Sequence, residues 1–174
     1  MFNLCQRLTL VALLFGISTG SIFSFSIDRQ ATAQTTSQTE NISPTSVANI
    51  NEVKSFIYSW FALLDRQVSE ISLLKFLDTD NLTMQFPEMT VKNADEFSNW
   101  YLGVQKTIKT NTYNVRQLEV VPKDNGEFDV RLKVDWKATT RNGKAISQTY
   151  RQQWTIVTDA RNRLLIRDYL VTVE

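Results

Sequence analysis

From residue 128 to residue 138 the chain alternates without a break. Phe128, Val130, Leu132, Val134, Trp136 and Ala138 fall on one side, and Asp129, Arg131, Lys133, Asp135 and Lys137 on the other. Successive side chains of a strand point to opposite faces, so this segment settles best as a strand with one face on a core and the other in water. The same period of two begins after residue 111 and runs to residue 173. Four strands fit it, at about 113–122, 127–140, 144–158 and 163–173.

The turns can be tested against that alternation, because directly opposed residues of an antiparallel pair share a face. A two-residue loop at Asn142-Gly143 sets Trp136 opposite Thr149 and turns Tyr150, Trp154 and Ile156 onto the charged face. A three-residue loop, Arg141-Asn142-Gly143, removes the conflict. It pairs Val134 with Tyr150, Leu132 with Gln152, Val130 with Trp154 and Phe128 with Ile156, with Gly143 in the left-handed position. The same rule at Asp124-Asn125-Gly126 pairs Leu118 with Leu132 and Val120 with Val130 inside, and Glu119 with Arg131 outside. Lys133 opposite Arg151 is the one misfit, worth about a few tenths of a kcal/mol.

Ahead of the strands the period is helical. Ile50, Val53, Phe56, Ile57, Trp60, Phe61 and Leu64 recur at the spacing of one helix face over 50–64, and Asn49 with Glu52 forms a capping-box pattern at its start. Asn93 and Glu96 open a second helix whose stripe is Phe97, Trp100, Tyr101, Val104 and Ile108. Between the two, 71–76 reads as a short helix and 82–86 as a short extended piece before Pro87.

The first 33 residues read as an export signal: Arg7, an apolar run from Leu8 to about Phe25, and a small-residue site Ala31-Thr32-Ala33. Cleavage after Ala33 leaves Gln34 as the new N-terminus and an exported, periplasmic or extracellular protein with no membrane attachment. The alternative is an uncleaved membrane anchor, since the run approaches the roughly 18 to 20 residues that cross a bilayer. Gly16, Ser18, Thr19 and Gly20 dilute its hydrophobicity. Residues 34–46, rich in Thr, Ser, Gln and Asn, read as a flexible linker, which leaves one domain over 47–174.

Composition then removes whole classes of chemistry. Cys5, the only cysteine, lies within the signal, so the mature domain has no thiol nucleophile, thiolate metal site or disulfide. The chain has no histidine, which removes the Ser-His triad and the common zinc sites. Cleavage takes Arg7 and Arg29 from 19 basic residues and Asp28 from 18 acidic ones, leaving 17 of each. A neutral chain argues against electrostatic binding of nucleic acid. Neither a metal nor a cofactor is expected.

Three segments carry a resemblance: the Phe56–Leu64 helix with Trp60-Phe61, the Tyr150-Arg151-Gln152-Gln153-Trp154 strand, and Arg163-Leu164-Leu165-Ile166 before Asp168-Tyr169. Together with the helix-then-strand order, they make residues 47–174 look like the nuclear transport factor 2-like superfamily, in its SnoaL-like branch. The resemblance implies an α+β fold. A cone-shaped, curved antiparallel sheet would wrap around N-terminal helices, a cystatin-like or nuclear transport factor 2-like roll with an internal cavity. It also implies homodimers through the outer sheet face. Members of that superfamily include isomerases, dehydratases, epoxide hydrolases and polyketide cyclases beside non-catalytic binding modules, so fold alone does not settle function.

The inferred concave face supplies the candidate pocket lining: Trp60, Trp136, Tyr150, Gln152 and Trp154. The rings either hold a flat apolar ligand, oriented by Gln152 and Tyr150, or simply fill the cone. The weak catalytic candidates are Asp168 and Tyr150. Asp168 faces the core if it is in phase with buried Ile166 and Leu170, and faces water if Leu165, Tyr169, Val171 and Val173 are the buried set. Asp129-Val130-Arg131 has the spacing of an adjacent acid and base but belongs to a row of five charges that reads as a solvated face. Asp65 lies off its helix's apolar stripe and reads as a surface acid. Two functions remain: a non-catalytic exported module binding a small apolar ligand in its cone or a protein on its sheet, and a cofactor-free acid-base enzyme using Asp168 with Tyr150.

Overall fold

A computed structural model describes residues 48–174. The expected signal at 1–33, its cleavage after Ala33 and the linker at 34–46 lie outside the described residues. Helix α1 (Ile50–Asp65) opens on the expected capping box. The Asn49 side chain accepts from the Asn51 and Glu52 amides, and the Glu52 carboxylate accepts from the Asn49 N–H at 3.0 Å. These bonds satisfy amides that the first helical turn leaves without partners. The helix buries Val53, Ile57, Trp60, Phe61 and Leu64. The short α2 (Glu70–Leu74), β1 (Thr83–Gln85) and β2 (Thr90–Val91) follow. Helix α3 (Ala94–Thr107) is capped by the Asn93 side chain, which accepts from the Glu96 amide at 2.9 Å. It buries Phe97 and Tyr101, with Trp100 and Val104 half-buried.

Four long strands complete the chain: β3 (Ile108–Pro122), β4 (Phe128–Thr140), β5 (Ala145–Thr158) and β6 (Leu164–Val173). They form one sheet in the order β2-β1-β6-β5-β4-β3. The meander is antiparallel, and β1 adds a parallel pairing along β6, with Met84 beside Tyr169, so the sheet is mixed. Both predicted three-residue loops are present. Phe128, Val130, Leu132 and Val134 face Ile156, Trp154, Gln152 and Tyr150, and Leu118, Glu119 and Val120 face Leu132, Arg131 and Val130. Gly126 and Gly143 take φ of +77° and +87°, which a side chain would oppose. A third loop, Ala160-Arg161-Asn162, repeats the device with Asn162 at φ +58°. The Lys133–Arg151 misfit is relieved by Glu174, whose carboxylate accepts from the two at 2.6 and 2.8 Å.

Two strands slip phase. In β3 the partners step from Val115–Val134 to Gln117–Lys133, leaving Arg116 as an extra residue. In β6, Ile166 faces Ile156 and Asp168 faces Thr155, leaving Arg167 extra. Each bulge moves the following residues to the opposite face. Ile166 is therefore buried in one phase, while Tyr169 and Val171 are buried in the other. The phase that buries Ile166 holds before the bulge and the phase that buries Tyr169 and Val171 holds after it, while Val173, expected to be buried with them, is exposed.

The sheet's concave face closes on α1 and α3 around one core that includes Trp60, Phe97, Phe128, Met84, Ile156 and Ile166. Burying each such side chain stabilises the fold by about 1.5–3 kcal/mol before entropy is counted. Among the described residues no helix is long and apolar enough to cross a membrane.

Candidate functional site

The concave face is a continuous tract of rings. Deep in the cone, Trp60 of α1 meets Phe76, Phe97 and Tyr169 at centroid distances of 5.9, 6.2 and 6.3 Å. Trp154 of β5 stacks on Tyr169 at 4.8 Å and packs on Phe61 at 5.6 Å. The tract then leaves the cover of the helices. Phe61 meets Tyr113 at 5.4 Å, Tyr113 meets Trp136 at 6.4 Å, and Trp136 meets Tyr150 at 6.2 Å. The last three rings are half-buried and form a rim, beside Val173, which is 51 % exposed.

The five expected lining residues thus divide. Trp60, Gln152 and Trp154 are buried within packed rings, where they fill the cone, and Trp136 and Tyr150 stand together at its rim. Two shallow grooves on the described surface, one around Thr110, Lys137 and Ser147 and one around Arg116, Lys133 and Glu174, include none of the five. Gln152 is fixed because its side-chain oxygen accepts from the Trp154 indole N–H at 3.1 Å.

The carboxylates fall differently from expectation. Asp168 lies on the outer side, 46 % exposed, and its carboxylate accepts from its neighbour Arg167 at 3.2 Å. The Arg167 bulge is the reason, since it returns Tyr169 rather than Asp168 to the interior. Asp168 and Tyr150 therefore form no catalytic pair. Asp129 and Arg131 belong to the solvated face, paired with Lys123 at 2.9 Å and with Glu119 at 3.5 Å rather than with each other. Asp65 is the correction in the opposite sense. It ends α1 half-buried, and its carboxylate accepts from the Tyr113 amide at 2.8 Å. Burial raises its pKa, and the amide bond offsets that in part.

The interior phenols are held in their protonated form. Burial, with a lesser contribution from Glu88, pushes the Tyr150 phenol up to about 12. The Tyr113 phenol is pushed well up by burial and by the phenols of Tyr169 and Tyr150 and the Asp65 carboxylate, all within electrostatic reach. Tyr113 as a whole residue is half-buried. Burial raises Tyr169 as well, offset in part by the Trp60 indole and the Gln152 amide beside it. The Trp60 N–H is near enough to act on that phenol yet is not aligned for a hydrogen bond. All three phenols stay protonated through the neutral range, so they donate and none serves as a base.

Tyr113 and Tyr169 were the residues that alternation missed as site-formers. Their signal was a three-residue step between apolar positions inside a strand, Val115 to Leu118 and Ile166 to Tyr169, where unbroken alternation gives steps of two.

No protein-family model matches the chain, and no curated protein matches it. Solved structures do. A nuclear transport factor 2-like superfamily protein from Salmonella enterica aligns with a TM-score of 0.64 at 16 % identity, over 71 % of this chain and 89 % of its own. A scytalone dehydratase-like protein from Novosphingobium aromaticivorans gives 0.61 at 10 %, over 70 % and 81 %. A protein with a cystatin-like fold from Caulobacter vibrioides gives 0.60 at 12 %, over 71 % and 88 %. Residues 48–174 thus have the nuclear transport factor 2-like fold, which is shared by proteins named for enzymes and by others that are not.

Proposed function

We propose that this chain is an exported, non-catalytic module that takes a small apolar ligand at the aromatic rim of its cone. One observation carries the reading. The rings of the concave face continue past the helices into a half-buried set, Tyr113, Trp136 and Tyr150, with no acid-base pair among them. Rings that only filled the core would stop where the helices stop, whereas a rim of partly open rings offers the flat apolar contact that ligand sites use. Quenching of tryptophan fluorescence by flat aromatic hydrocarbons and ketones tests it. Saturable quenching that weakens at least tenfold in Trp136→Ala, and is unchanged in Tyr58→Phe on the exposed side of α1, is the expected result. Quenching that never saturates overturns it. Export is tested by the mass of the released protein, where an N-terminus other than Gln34 removes the signal assignment. A protein partner or second copy on the outer sheet face is the companion proposal. That face is laced with ion pairs, so any association there should weaken as salt rises.

The raised Asp65 carboxyl beside Tyr113 favours a second reading, a cofactor-free acid-base enzyme with Asp65 as base and the phenols as donors to developing negative charge. Carbon-detected titration of the side-chain carboxyls decides it. An Asp65 signal that titrates in the ordinary aspartate range removes this enzyme reading.

A further inference from the structure

We infer that the end of the sheet where β3 begins and β4 turns into β5 docks a polysaccharide of acidic sugars, a partner separate from the apolar ligand proposed for the rim. The near-equal totals of acidic and basic residues hide an uneven distribution. No acidic residue lies between Glu96 and Glu119 or between Asp135 and Asp159. The fold lays these two acid-free segments side by side. Thr110 faces Thr139 and Thr112 faces Lys137 across β3 and β4, while Lys137 faces Ser147 and Thr139 faces Ala145 across β4 and β5. Arg141 ties the end of α3 to the same place, its guanidinium donating to the Gln105 carbonyl at 3.1 and 2.9 Å. Lys106, Lys109, Lys137, Arg141 and Lys144 are all exposed, and among the described residues none of the five is in an ion pair.

Two comparisons within the sheet set these cations apart. Along the outer face of β4, Asp129, Arg131, Lys133 and Asp135 each have a charged partner, and Lys137 alone has none among the described residues. The residue left extra at each register shift of the sheet is a cation. Arg116 meets Asp135 and Arg167 meets Glu127, whereas Lys109 meets no acid among the described residues. Asp135, on the adjoining outer rung, is already held by Arg116 at 2.7 Å and by the Thr149 hydroxyl at 3.0 Å. Cations gathered without countercharge repel one another, and an anionic partner removes that cost.

The groove between them chooses among anions. Its outer-face lining is Thr110, Thr112, Lys137, Thr139, Ala145 and Ser147. The hydroxyls of Thr110, Thr112, Thr139 and Ser147 each donate and accept, which suits a chain that carries hydroxyls of its own. The ladder already uses the backbone groups beneath the groove, so an extended acidic peptide finds no strand there to pair with. No aromatic ring lines it for a nucleobase to stack on. None of the exposed large hydrophobic side chains lines it either, so it presents nothing to enter an anionic lipid surface. Acidic sugars meet both features, their hydroxyls against the threonines and serine and their carboxylates against the lysines.

Alginate, dextran, polyglutamate, single-stranded DNA and phosphatidylglycerol vesicles, each titrated into the full-length protein, separate sugar from charge. The expected result is saturable binding of alginate with a Kd at least tenfold below those of the other four, rising with salt. Lys109→Gln, Lys137→Gln and Lys144→Gln combined should raise that Kd at least tenfold. Arg161→Gln, which removes a charge in the loop between β5 and β6 at the far end of the sheet, should leave it unchanged. No binding of alginate, or equal binding of dextran, overturns the inference. Tighter binding of polyglutamate, DNA or vesicles overturns it in favour of that partner. If the three lysine substitutions leave the alginate Kd unchanged, or if Arg161→Gln weakens binding as much as Lys137→Gln alone, this face is not the docking surface.

Discussion

Strands β4 and β5 hold one phase along their whole paired length, while on either side β3 shifts register twice and β6 once. The difference shows in what each pair contributes. The central strands supply a regular wall: Phe128, Val130, Leu132, Val134, Trp154 and Ile156 inward, ion-paired charges outward. The flanking strands supply the tyrosines. Were β3 to run through Arg116 without a bulge, continued pairing from Leu118 would set Tyr113 opposite Lys137 on the charged face. Were β6 to run through Arg167 without one, Tyr169 would face outward if Ile166 stayed in. The extra residues themselves turn outward and pair, Arg116 with Asp135 at 2.7 Å and Arg167 with Glu127. A regular ladder builds a wall, and breaks in the ladder decide which hydroxyls stand inside it.

The sharpest way to break this contrast is to delete Arg167 and Asp168 together. With Ile166 held inward, Tyr169 and Val171 should then turn outward and lose their burial, a destabilisation of roughly 3–6 kcal/mol in urea unfolding. Deleting Arg167 alone removes only the extra residue, leaves Tyr169 opposite Trp154, and should lose far less. If the double and the single deletion cost the same, the phase of β6 does not set that burial. Next in size is Trp154→Ala on the regular wall, with an expected loss of about 3–5 kcal/mol by the same measurement, because Phe61 and Tyr169 are left against a void. Gly143→Ala, in the loop that sets the β4–β5 register, should cost about 1–2 kcal/mol through its positive φ. The smallest effect separates the rim from the core by pH. Tyr150 has its folded pKa raised above the unfolded value, so the stability it contributes is intact below about pH 10 and is lost as pH rises through about 12. Phenolate absorbance should show a step near pH 12 that disappears in Tyr150→Phe.

Much of the regular wall could be read from residues alone. The clash between Tyr150, Trp154 and Ile156 and a two-residue loop was enough to choose the longer loop, and with it every β4–β5 pair. Local rules also reached the caps at Asn49 and Asn93, because a cap is a bond between residues three apart. Parallel pairing of β1 with β6 was out of reach. Met84 and Tyr169 lie far apart in sequence, and a three-residue strand has no period to read. Of the candidate residues, Trp136 and Tyr150 were read onto the inner face and stand side by side there, whereas Asp65, read as a surface acid, is half-buried for one physical reason. The pattern of a helix tells which face it buries but not which strand passes its end, and here an amide of β3 does.

That amide lies on the margin of the sheet. Strand β3 is an outermost strand, and such strands expose backbone groups on which a foreign strand can dock and continue the sheet. Asp65 occupies one of those groups near the middle of the rim-forming segment, and a newcomer would have to displace a half-buried carboxylate to take its place. The contact that anchors α1 to the sheet therefore also works as a stopper, helping to keep neighbouring molecules from zipping together edge to edge as the protein is concentrated.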